Sequence, residues 1–215
     1  PADVTDVFGL NAYLGWYDRD FSELESYIED HSKGGVKGKW AMTEYGAGSS
    51  IYFHSEHPVR MDHSEEYQCL FHEQYWKVLS GHPEVWGKFI WNMFDFAVDS
   101  RKEGDHAGRN DKGLVTYDRQ TRKDAFYFYK ANWSQDPVMY ITDKRFPVRG
   151  TDHIAVKVYA NVPQVWLWVN GQEIGAQQGN GFKTFLWNNV PLKEGKNEIV
   201  VASAENKSDV RQEDR

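Results

Sequence analysis

The chain has little cysteine, little proline and no long apolar run. Cys69 is the only cysteine among 215 residues, so no internal disulfide can form. That leaves the compartment open between cytoplasm and periplasm or secretion, because many exported proteins also lack disulfides. No stretch approaches the ~20 apolar residues of a membrane-spanning helix, and mean hydropathy is -0.72. Basic charge is in deficit: Lys and Arg number 25 against 32 Asp and Glu, a net charge of -7. An acidic balance argues against nucleic acid or an anionic membrane as partner. No His-x-x-x-His or Cys-His spacing is present, so no metal is expected, and His54, His57 and His63 read as a solvated loop. The chain opens on Pro1 without Met and without a signal peptide, which points to a piece of something larger.

Aromatic residues, by contrast, make up 15% of the chain, with nine Trp. They imply a densely packed core, and a carbohydrate ligand would also use them, since sugar rings lay their C–H faces on aromatic planes. Val7–Tyr13 reads as a buried strand. Phe21, Leu24, Tyr27 and Ile28 follow at helical spacing, with Lys33-Gly34-Gly35 as the stop. Trp40–Thr43 is an apolar run into Glu44-Tyr45-Gly46. Asp62-x-x-Glu65 resembles a capping box, opening a helix with Tyr67, Leu70, Phe71, Gln74, Tyr75, Val78 and Leu79 on one face. Val85–Trp91 is a further strand, and Thr121-x-x-Asp124 reads as the cap of a last helix. Strand and helix alternating over short connections imply parallel strands with crossover helices.

After Trp133 the period changes from helical to two. Ile154, Val156 and Val158, then Val165, Leu167 and Val169, alternate with other residues. Asn170-Gly171 signals a type I′ hairpin, and Phe182–Asn188 and Glu198–Ala204 add strands. Ser134–Pro137 reads as a linker and Asn206 to Arg215 as a frayed tail.

Three strand ends carry a specific resemblance: Gly9-Leu10-Asn11-Ala12-Tyr13-Leu14-Gly15-Trp16-Tyr17, Met42-Thr43-Glu44-Tyr45-Gly46, and Phe89-Ile90-Trp91-Asn92-Met93-Phe94-Asp95-Phe96. In that order and spacing, together with Asn110-Asp111-Lys112-Gly113-Leu114-Val115, they resemble glycoside hydrolase family 2. The resemblance implies an α/β plus all-β chain. Residues 1–133 would be the last three βα units of a (β/α)8 barrel, and 134–215 an immunoglobulin-like β-sandwich. It implies a retaining exo-β-glycosidase with Glu44 as nucleophile, Tyr13 hydrogen-bonded to it, and Trp91 under the sugar. Asn11, Trp16 and Asp95 would be further substrate contacts. No cofactor is implied. The family's acid/base, a Glu after an Asn, has no counterpart ahead of Glu44, and Asn197-Glu198 lies in the β part. That half of the site is expected in the remainder of the parent enzyme, which is therefore a partner. The open sheet edges of three βα units also favour self-association.

A β-galactoside is the expected substrate. The alternative is a β-glucuronide, because Asn110-x-Lys112 matches the pattern with which family glucuronidases grip the substrate carboxylate. Asp111 beside Lys112 counts against it. A reading from another class is a non-catalytic carbohydrate-binding or structural module, with Trp166 and Trp168 as its platform.

Overall fold

The computed structural model describes residues 5–33 and 39–203. Gly34 and Gly35 of the expected helix stop, and the tail from Asn206, lie outside these. By packing, the chain divides into Pro1–Ala125 and Phe126–Arg215. The boundary expected after Trp133 follows the change of sequence period instead.

In the first unit three parallel strands stand in the order β1 (Val7–Asn11), β2 (Lys39–Tyr45), β3 (Val85–Ile90). β2 is central. Its Trp40, Ala41, Met42 and Tyr45 are buried, whereas Val7 on β1 and Trp86 and Phe89 on β3 are about half exposed. A 3-10 turn, Phe21–Glu23, is closed by a capping box between Asp20 and Glu23. It leads into α1 (Leu24–Lys33), which buries Leu24 and Ile28.

α2 spans Glu65–Ser80, and its cap differs from the expected one. Ser64 is the N-cap, its Oγ accepting from the Tyr67 N–H at 3.1 Å, while Asp62 accepts from both the N–H and the hydroxyl of Ser64. The reason is that Asp62-x-x-Glu65 lies one turn-entry too early: Asp62 orients the cap and Glu65 is already helical. The buried surface of α2 is also wider than the apolar stripe, taking in Glu65, Gln68, Cys69 and His72. The Gln68 amide donates to the carbonyls of Ala47 and Gly113 (2.9 and 3.2 Å), tying two loops to the helix.

His72 is fully buried beside the rings of Tyr45 and Phe71. Burial, aided by Lys123, pushes its pKa down to about 3. The folded state therefore refuses a proton that the unfolded chain takes up below pH ~6.5. Stability must fall as pH drops below that value, by about 1.4 kcal/mol per unit from this group. Between pH 7 and pH 5 the wild type is expected to lose about 2 kcal/mol more than His72→Gln in urea unfolding. Equal losses in the two proteins would refute this account.

Two short strands, β4 (Phe96–Ala97) and β5 (Arg109–Asn110), pair antiparallel at the root of a loop. α3 is Asp124–Trp133. Thr121 does not cap it; the first helical N–H, on Asp124, is satisfied by the Glu65 carboxylate at 3.1 Å.

The second unit holds β6 (Met139–Ile141), β7 (His153–Ala160), β8 (Gln164–Val169), β9 (Gln172–Gln178), β10 (Thr184–Pro191) and β11 (Ile199–Ala202). They form two antiparallel sheets, β10-β7-β6 and β11-β8-β9. Alternate residues of both fill one core: Val156 and Val158, Val165, Leu167 and Val169, Phe185 and Trp187, and Val201. This is a β-sandwich. Asn170 and Gly171 join β8 to β9, both at positive φ (52° and 82°), as a type I′ turn requires. β9 is the second strand of that hairpin, whereas β6, three residues long, was not expected from the sequence.

Candidate active site

The site begins with a register shift. β1 and β2 pair in step from Val7↔Lys39 to Leu10↔Met42, but Asn11 then pairs with Glu44, skipping Thr43. The skip brings Asn11 beside the carboxylate at the carboxyl end of β2. The Asn11 amide donates to Glu44 Oε2 at 3.0 Å, and Asn11 Oδ1 accepts from the Thr43 hydroxyl at 2.9 Å, which fixes the amide's orientation. The Tyr13 hydroxyl donates to the same Oε2 at 3.5 Å. Burial, and after it the Glu44 carboxylate, push the Tyr13 phenol above its ordinary pKa, so it keeps its proton and remains a donor. Glu44 is partly open and held by two donors, as a nucleophilic carboxylate needs to be.

β3 supplies the next wall. The Trp91 N–H donates to the Tyr45 carbonyl at 2.8 Å, and a Cβ on Gly46 would lie 1.9 Å from the Trp91 carbonyl oxygen. Only glycine permits that approach. Trp91 is half-buried, edge-on to Phe96 at 5.7 Å.

Beyond Tyr13 the site turns cationic. Tyr17 packs 5.3 Å from Tyr13, and its hydroxyl accepts from Arg101 at 2.8 Å. The Lys112 ammonium lies over the Tyr17 ring at 4.8 Å and the Trp16 ring at 5.2 Å. It is 1% exposed and makes no hydrogen bond; its one ion-pair neighbour among the described residues is Glu103, at 3.8 Å. Asn110 Oδ1 accepts from the Lys112 N–H at 3.0 Å, shaping the turn that presents the ammonium.

Several expectations change here. Trp16 is wholly buried among Tyr17, His63 and Tyr67, so it backs the site and has no face for a sugar. Asp95 is also buried, pairing with Lys123 at 2.9 Å and accepting from the Gly113 N–H; burial outweighs that pairing and raises its pKa to about 6. It braces the loop. Asp111 faces His63 first and Lys112 only at longer range. Its carboxylate takes His63 at 2.6 Å; burial would raise its pKa, but the His63 contact holds it below the ordinary value. His63 and His54, the latter on Glu66 at 2.9 Å, are therefore braces of the loop and not solvated side chains. Asn197-Glu198 belongs to the sandwich, where Asn197 accepts from Asn170 at 2.8 Å. Sequence reasoning passed over Tyr17, although it ends the Asn11–Tyr17 motif, and over Arg101 and Glu103, which look like any charged loop.

A carboxylate held by Asn and Tyr at the end of a parallel strand, with a Trp on the next strand end, is an arrangement of the kind that one half of a barrel glycosidase site requires. The family model "Glycosyl hydrolases family 2, TIM barrel domain" matches residues 2–136, and "Domain of unknown function (DUF4982)" matches 151–208. A β-glucuronidase of Bacteroides fragilis is 40% identical over 207 residues, covering 93% of this chain and 30% of that protein. An FMN-binding β-glucuronidase structure from Facaelibacterium prausnitzii L2-6 superposes with a TM-score of 0.88 at 38% identity, over 94% of this chain and 31% of that one. A putative β-galactosidase structure from Bacteroides fragilis gives 0.85 at 35% identity, over 91% and 30%. The chain belongs to glycosyl hydrolase family 2, and its first part is the C-terminal portion of that family's barrel. It spans about a third of the length of these relatives.

Proposed function

We propose that the protein containing this chain is a retaining β-glucuronidase with Glu44 as its nucleophile. The observation that carries the substrate choice is Lys112: a buried ammonium without a hydrogen bond, in an Asn110-x-Lys112 turn, on the aromatic wall that leads through Tyr17 and Tyr13 to Glu44. A buried cation lacking hydrogen bonds is costly unless an anion completes it, and a sugar carboxylate does so. The Asp111 carboxylate, which counted against this choice, is bonded to His63 and makes no ion pair with Lys112 among the described residues. The glucuronidase names among the relatives support the same choice.

In this reading Glu44 attacks the anomeric carbon while a carboxylic acid ~5–5.5 Å away protonates the leaving oxygen. That acid would come from barrel strands outside this chain. The half-exposed Val7, Trp86 and Phe89 on the two edge strands suit contact with those strands. Asn11 and Tyr13 hold the nucleophile, Trp91 lies under the sugar, and Asn110 shapes the anion site. We take 1–133 as the barrel portion and 134–215 as an immunoglobulin-like accessory domain. A platform of Trp166 and Trp168 is disfavoured: the rings stack on each other and Trp168 is buried.

The test compares hydrolysis of 4-nitrophenyl β-D-glucuronide and the matching β-D-galactoside by the intact protein. The glucuronide is expected to be cleaved faster by at least about tenfold in kcat/KM. A galactoside preference would restore the galactosidase reading, which the second similar structure keeps in play.

A further inference from the structure

Resting on the glucuronidase reading, we infer that Glu103 is a built-in stand-in for the substrate carboxylate, and that Arg101 is a second cation of the anion site, uncovered when Glu103 swings away. Glu103 is ion-paired with Arg101 and stands 3.8 Å from Lys112. Its carboxylate thus lies between the two cations of this wall, beside the Tyr17 ring that both of them touch. A glucuronate carboxylate reaching Lys112 meets Glu103 there, and two anions cannot share the place without repulsion.

The backbone shows which group moves. Arg101 is pinned on both sides: its N–H donates to Val98 O at 3.0 Å and its carbonyl accepts from the Gly108 N–H at 2.8 Å. Val98 N–H also donates to Gly108 O at 2.9 Å, closing the root of the loop. Glu103 makes its contacts through its side chain alone. Gly104 follows at φ +71°, its backbone packed so closely on Asp111 that a Cβ there would lie 2.3 Å from the carboxylate oxygen, so the chain is held on that side of Glu103 as well. What moves is therefore the Glu103 side chain, by a change of rotamer between a pinned Arg101 and a packed Gly104. When Glu103 leaves, Arg101 keeps its bond to the Tyr17 hydroxyl, and one incoming carboxylate satisfies both cations.

The stand-in also gives selectivity. A neutral sugar has nothing to offer Lys112 and Arg101 in exchange for Glu103, so it meets a filled pocket; an anionic sugar replaces like with like.

The experiment uses the intact protein as wild type, Glu103→Gln and Glu103→Ala, with unchanged melting temperature as the folding control. KM for 4-nitrophenyl β-D-glucuronide and Ki for free glucuronate are expected to fall about three- to tenfold in both variants, as for loss of a partly exposed competing ion pair. KM for the galactoside should stay within about twofold. Arg101→Gln should raise KM for the glucuronide about tenfold or more. Unchanged or weaker glucuronate binding in both Glu103 variants overturns the stand-in while leaving the glucuronidase reading intact. A wild-type protein that neither cleaves the glucuronide nor binds glucuronate overturns both.

Discussion

Glu44→Gln in the intact protein is expected to lower kcat on a β-glucuronide by about 10^4-fold or more, the scale of removing a catalytic nucleophile. The fold should be untouched. A glutamine side-chain oxygen still accepts from the Asn11 amide and the Tyr13 hydroxyl, whose geometry is set by the Asn11↔Glu44 register and by Thr43. What is lost is the negative charge and the nucleophilic lone pair. Glu44→Ala separates that role from a merely electrostatic one. It opens a space at the strand end in which azide can attack the anomeric carbon directly. One displacement in place of two inverts the centre, so the product should be the α-glycosyl azide. Recovery of a β-azide, or covalent labelling of another carboxylate by a 2-deoxy-2-fluoro glucuronide, would move the nucleophile elsewhere.

Lys112→Ala should cost the glucuronide about 3–5 kcal/mol of transition-state binding, since it leaves the substrate carboxylate buried without its partner. That corresponds to a drop of about 10^2 to 5 × 10^3-fold in kcat/KM. The same variant should change kcat/KM for a neutral glycoside by less than about tenfold, because no anion is then stranded. Lys112 packs on Trp16 and Tyr17, so the loss of its methylenes needs a control. Lys112→Met keeps most of the volume without the charge, and it should behave as Lys112→Ala does. If Lys112→Met retains full activity on the glucuronide, the ammonium does not hold the carboxylate and the anion site fails.

Much of the scaffold could be read without coordinates. Apolar runs ending in Asn11-Ala12-Tyr13 and Thr43-Glu44-Tyr45 mark strand ends, because a short apolar run beside a stretch of helical spacing leaves no other element for them. Asn170-Gly171 marks its hairpin because few other dipeptides accept two positive φ values. Local chemistry decides such features, so they survive in a one-dimensional text.

What failed was pairing over distance. Asp95 looked like a substrate contact because it follows a strand end; Lys123, 28 residues on, claims it. Asp111 looked like the neighbour that spoils Lys112; His63, 48 residues back, hydrogen-bonds its carboxylate. Gln68 and His72 broke the apolar stripe of α2 and gave no sign of being buried, since their partners are loop carbonyls and rings from other elements. Trp16 could equally have faced ligand or core.

The sequence by itself therefore determined the order of elements, the change from parallel α/β to antiparallel sandwich, and the placing of Glu44 at a strand end, because each depends on residues within a few positions of one another. Only the tertiary structure decided which charges are already spent. An Asp or Lys has the same identity whether its partner is a side chain or a ligand, and long-range packing alone brings His63 to Asp111 and Lys123 to Asp95, leaving Glu103 as the one ion-pair neighbour of Lys112 among the described residues.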